Sequence, residues 1–105
     1  MKTFKDIEIK DHPMVPGGRI GQMDVGDGFT LSVVQGQGMY QDGDTFEVAV
    51  FDEKNEGEQL MIEPDNNIRS WQTVDEIDDL LQVIQLNPDN LRRQSELRRQ
   101  ARDDY

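Results

Sequence analysis

Cysteine is absent from all 105 residues, which removes disulfides, thiolate nucleophiles and cysteine-based zinc sites together. Histidine occurs once, as His12 beside Pro13. A lone loop histidine reads as structural rather than as part of a nucleophilic triad or a multi-histidine metal site. Apolar residues make up only 34% of the chain and mean hydropathy is −0.79, so any core must be small. No stretch approaches the ~20 apolar residues of a membrane span, and the opening Met1-Lys2-Thr3-Phe4-Lys5-Asp6 has no signal-peptide run. A soluble, cytoplasmic protein without membrane contact is the expectation. Basic residues are scarce as well, 11 against 22 acids, for a net charge of −11. The shortage is uneven: residues 92–105 hold five arginines and three acids, a net +2, so the other 91 residues carry −13. Such a body repels nucleic-acid phosphate and lipid headgroups and attracts basic protein surfaces.

What is present is best seen in residues 29–51. Phe29, Leu31 and Val33 share one face of an alternating run, and Phe46, Val48 and Val50 share one face of a second. That period of two is the signature of half-buried strands. The Gly- and Asp-rich residues 35–44 connect them as a long-looped antiparallel hairpin. Before this pair, residues 19–25 alternate, and Gly26-Asp27-Gly28 turns them directly into Phe29, a strong hairpin signal. Residues 3–10, with Ile7 and Ile9 alternating, predict a further strand, broken by the prolines and glycines of residues 11–18. Residues 59–62 predict a short fifth strand, and 68–71 a brief extended piece whose Trp71 should pack across a helix–sheet junction.

Thr73-Val74-Asp75-Glu76 is a capping box opening a helix over 74–85. Ile77, Leu80, Leu81 and Ile84 form its apolar stripe, and Asp75, Asp78, Asp79 and Gln82 its polar face. Asn87-Pro88-Asp89 resembles a fresh cap with proline at the first helical position. Beyond it, Leu91, Leu97 and Ala101 make no continuous stripe, so a helix on the body and a frayed Arg-rich tail both remain open for residues 87–105. The expected architecture is α+β: residues 1–86 form one domain, an antiparallel meander of four or five strands with one amphipathic helix on one face.

Chemistry-bearing patterns are sparse. Asp42, Asp44 and Glu47, with Asp24 and Asp27, offer oxygen ligands without the spacing of an EF-hand loop, and read as turn residues. Gly36-Gln37-Gly38 runs from strand to strand with no basic residue, unlike a phosphate cradle. No cofactor or metal site and no catalytic constellation emerge. The groups with binding potential are the acids Asp42, Asp44, Asp75, Asp78 and Asp79 and the arginines Arg92, Arg93, Arg98 and Arg99. The arginines lack the interleaved aromatics of a base-stacking surface.

Residues 4–14, Asp27-Gly28-Phe29-Thr30-Leu31-Ser32-Val33-Val34, Tyr40 and Phe46-Glu47-Val48-Ala49-Val50 together resemble small proteins of tailed bacteriophages. In those a Gly-aromatic strand and an aromatic-Glu-Val-Ala-Val strand precede a short acidic helix. The resemblance covers residues 4–84 and implies viral origin, with no assigned activity and no catalytic residues. The function expected is a non-enzymatic acidic binding protein of the infected bacterial cytoplasm, engaging a host protein for takeover or anti-defence, by imitation of nucleic-acid charge among other means. Two alternatives stand beside it. One is a virion or assembly component that forms homo-oligomers. The other is a scavenger of small charged ligands such as signalling nucleotides, using Arg19, Arg69 or the tail arginines.

Overall fold

The computed structural model describes residues 1–36 and 45–103. Most of the loop expected between the two central strands, with Asp42 and Asp44, lies outside the described residues. One antiparallel sheet carries β1 (Lys10–Asp11), β2 (Arg19–Gly26), β3 (Phe29–Gln35), β4 (Phe46–Asp52), β5 (Glu58–Gln59) and β6 (Arg69–Gln72). Two helices follow, α1 (Val74–Leu86) and α2 (Pro88–Asp103). The order is β1-β2-β3-β4, and β5 and β6 share the far side of β4. The strand β5 pairs with the Phe51–Asp52 end, and β6 with the Phe46–Val48 end. Among the described residues six strands rather than four or five result, because the returning chain pairs with β4 twice.

The central pairing follows the alternation. Leu31 sits opposite Val50 and Val33 opposite Val48, and all four are fully buried beneath α1 with Phe29. Ile77, Leu80, Leu81 and Ile84 of α1 supply the facing layer. The capping box forms in full: the Glu76 amide donates to Thr73 Oγ1 at 3.2 Å, and the Thr73 amide donates to Glu76 Oε1 at 3.1 Å. Asp27 and Gly28 both hold positive φ, 53° and 84°, as the tight β2–β3 turn requires.

Three segments depart from expectation. Residues 3–10 are mostly not strand. Phe4–Asp6 forms a 3-10 turn whose Phe4 amide donates to Asp78 Oδ1 on α1 at 2.7 Å, and only Lys10–Asp11 pairs with β2. Ile7 and Ile9 still reach the core, crossing so close to β2 that a Cβ at Gly21 would lie 2.7 Å from Ile7 and 2.8 Å from Ile9. Residues 60–62 are the second departure. Leu60, Met61 and Ile62 are consecutively buried, which a sheet strand with one wet face does not allow. The Leu60 amide still donates to the Val50 carbonyl of β4 at 2.8 Å, and beyond it side chains take over: the Met61 amide donates to Ser95 Oγ at 2.8 Å, and the Met61 and Ile62 carbonyls accept from Arg98 and Arg69 at 3.0 Å. Trp71 is the third. It is 55% exposed, with a left-handed φ of 58° that turns the chain into the Thr73 cap. Phe4 and Phe46, with ring centroids 5.3 Å apart, pack where the start of α1 meets the sheet.

Residues 88–103 form a helix docked on the body through a face that is mostly polar. Leu91 and Ser95 are buried on it, and Ser95 is only 1% exposed. Ser95→Ala would leave the Met61 amide without its acceptor. The expected loss is about 1–3 kcal/mol in urea unfolding, the range for a buried donor left unsatisfied. A shift in the urea midpoint with an unchanged slope checks it.

Candidate functional site

Two places gather charged side chains. The first lies where β4 ends. Asp52 continues the inward row of Phe46, Val48 and Val50, and its side chain is 0% exposed. Arg92 of α2 meets it with two contacts, Nε to Oδ2 at 2.9 Å and Nη2 to Oδ1 at 3.2 Å. Asn55 Nδ2 and the Lys54 amide also donate to this carboxylate, at 2.8 and 3.1 Å. The same guanidinium donates from Nη1 to Asp27 Oδ2 at 2.7 Å and from Nη2 to the Asp27 carbonyl. Its centre lies 4.2 Å from the Phe29 ring centroid. Lys54 Nζ pairs with Asp27 as well, at 3.0 Å.

These contacts move the titrations. Burial pushes the Asp52 carboxyl up, but hydrogen bonds from Arg92 and Asn55 outweigh it and hold the group below its ordinary value. Asp27 is held low by hydrogen bonds from Arg92 and then Lys54. The hydrogen bond to Asp52 raises Arg92 above its ordinary value against the effect of burial. All three groups stay charged across the physiological range. The cluster is a fastening of α2 to the β2–β3 turn, and its charges are satisfied within the fold.

The second place is a groove of about 340 Å³ between β6, α1 and α2. Ile62, Leu80 and Leu91 line it and are buried, and Val83 lines it at 51% exposure. Gln72, Asn90 and Gln94 contribute amides, Arg69 and Arg98 cations, and Glu76 and Asp79 carboxylates. The cations are committed to the body. Arg69 Nε pairs with Glu63 at 2.6 Å while its Nη2 donates to the Ile62 carbonyl, and Arg98 Nη1 donates to the Met61 carbonyl. One Glu76 oxygen accepts from the Thr73 amide. Among the described residues Asp79 has no ion pair. Arg69 is offset by Glu63, whereas Arg98 keeps its charge against a neutral carbonyl, so Glu76 and Asp79 leave the described lining with a small acidic excess.

The residues singled out in the sequence scatter across these surroundings. Asp79 and Arg98 come together in the groove. Asp75 is exposed on α1 outside the groove lining, and Asp78 is half-buried, holding the Phe4 amide. Arg92 belongs to the buried cluster, and Arg99 pairs with Glu58 and, at 3.3 Å, with Glu96. Arg93 is exposed outside the groove lining. Asp42 and Asp44 lie outside the described residues. The groove amides Gln72, Asn90 and Gln94 went unnoticed because an amide on a polar helix face has no distinctive spacing. Elsewhere, Asp24 caps the Gly26 amide at 2.9 Å, and His12 Nδ1 accepts from the Met14 amide at 3.0 Å. Among the described residues no group of three or more His, Cys, Asp or Glu is placed to hold a metal ion. No described helix is long and apolar enough to cross a membrane. No family model, curated protein or solved structure matches the chain.

Removing Arg92 takes from the buried Asp52 its cationic partner and leaves only the hydrogen bonds from Asn55 and the Lys54 amide. Arg92→Ala should cost about 3–5 kcal/mol of stability, the range for breaking a buried pair by deleting one partner. Because the folded carboxyl titrates below its unfolded value of about 3.9, its contribution is complete above that pH and lost as pH falls through the folded value. Urea midpoints should therefore fall more steeply between about pH 5 and pH 3 in the wild type than in Asp52→Asn. Equal slopes would remove Asp52 from this role.

Proposed function

We propose that the protein is a non-enzymatic acidic binding protein, made by a tailed bacteriophage during infection, that engages a basic surface of a host protein. The observation carrying this reading is the inward turn of the tail arginines. Arg92 pairs with Asp27 and Asp52, Arg99 pairs with Glu58, and Arg98 and Arg102 make hydrogen bonds to Met61. Most of the basic stretch thus binds its own body, with Arg93 left exposed, and carboxylates such as Asp75 and Asp79 dominate the outward charge. An outward field of one sign speeds encounter with a partner of opposite sign and weakens with salt. The scavenger reading is less favoured, since Arg69 and Arg98 are engaged with the body and share their groove with Glu76 and Asp79, which repel phosphate.

The test is capture from bacterial lysate at low and high salt, with mass spectrometry, using the wild type and the Asp75→Lys/Asp79→Lys variant. One stoichiometric partner, released by salt and held roughly tenfold or more weakly by the variant, is the expected result. Retention indifferent to both salt and charge reversal would overturn the reading, as would turnover of a nucleotide or peptide substrate by the purified protein.

A further inference from the structure

We infer that the groove between β6, α1 and α2 is the docking site for a short peptide segment of a partner protein, one presenting a basic side chain beside an apolar one. The inference deepens the proposed function and rests on it for the partner's basic character. Three features select this occupant. The buried side chains of Ile62, Leu80 and Leu91 form an apolar lining between the helices, and Val83 extends it towards solvent. An apolar residue of the segment gains there by leaving water. Asp79 lines the same groove with no cation paired to it among the described residues, and Glu76 lies one α1 turn before it. Of the lining arginines, Arg69 is offset by Glu63, and Arg98, which donates to the Met61 carbonyl, leaves the two acids in excess. A lysine or arginine on the segment is therefore complementary, and an acidic side chain is repelled. Finally, Gln72, Asn90 and Gln94 carry both donor and acceptor atoms, as a peptide backbone does, and suit an extended main chain without demanding one sequence.

Nuclear magnetic resonance on the full chain tests this with a capped synthetic peptide holding one arginine between two leucines. Its counterpart with glutamate in place of arginine, and free arginine amide, serve as controls. The expected result is a set of shifts at the side-chain amides of Gln72, Asn90 and Gln94 and along α1 from Glu76 to Val83. The glutamate peptide should bind about tenfold or more weakly, and so should Val83→Arg and Asp79→Asn towards the arginine peptide. Both positions are exposed, so these variants should keep the fold, and Asp79→Asn keeps the shape of the side chain. Shifts centred elsewhere, equal binding by the glutamate peptide, or equal binding by arginine amide alone would overturn the inference. So would concentration-dependent shifts at the same residues without peptide, which would mean that a second copy fills the groove. A silent peptide beside a salt-sensitive captured partner would sink the groove assignment and leave the proposed function standing. A peptide seated in the groove with no partner captured would do the reverse.

Discussion

The whole assembly leans on one buried ion pair. Asp52 occupies an inward position at the end of a central strand, where a charge without a partner would be untenable. Arg92 answers it from a helix 40 residues later in the chain, and the same guanidinium reaches Asp27 in the β2–β3 turn and lies over Phe29. One side chain thereby joins a hairpin turn, a strand end and the last helix. The rigid planar fork of arginine is what permits this, because it satisfies two carboxylates and a carbonyl at once. A lysine would bring charge without that geometry.

From this fastening follows the treatment of residues 60–62. After Leu60, whose amide still donates to Val50 of β4, the buried Met61 and Ile62 have no strand beside them among the described residues. Ser95 and Arg98 of α2, with Arg69 of β6, supply the missing hydrogen bonds. The helix α2 thus substitutes for a sheet neighbour at this point, which explains why a helix with so few apolar residues is docked at all. Its inward row of Leu91, Ser95, Arg98 and Arg102 is held by hydrogen bonds and arginine stems more than by apolar area.

Electrostatics follow the same logic. Read along the chain, charge divides into an acidic body and a basic end, as if the end were free to meet something else. In the folded protein the end meets the body, through Asp27, Asp52 and Glu58. In the groove beside it Arg69 is offset by Glu63, and Arg98 stands against both Glu76 and Asp79. The sign of the outer surface comes from the net charge of −11, which intramolecular pairing leaves unchanged.

Local pattern determined the parts of this protein whose stabilising partners lie close in sequence or repeat at a regular period. The alternation of Phe29, Leu31 and Val33 with Phe46, Val48 and Val50, the Asp27-Gly28 turn, and the Thr73–Glu76 cap with the Ile77, Leu80, Leu81 and Ile84 stripe could all be read before any coordinate was known. Only the tertiary structure decided that residues 3–9 turn rather than pair along their length, that β5 and β6 share one edge of β4, and that Trp71 faces solvent. It also decided that Arg92, Arg98 and Arg99 close on their own body and that Asp79 and Arg98 line one groove. The reason is physical. Periodicity reports which face of an element is apolar, whereas an inward Asp52 or Ser95 looks like a surface residue until a partner dozens of positions away is folded against it.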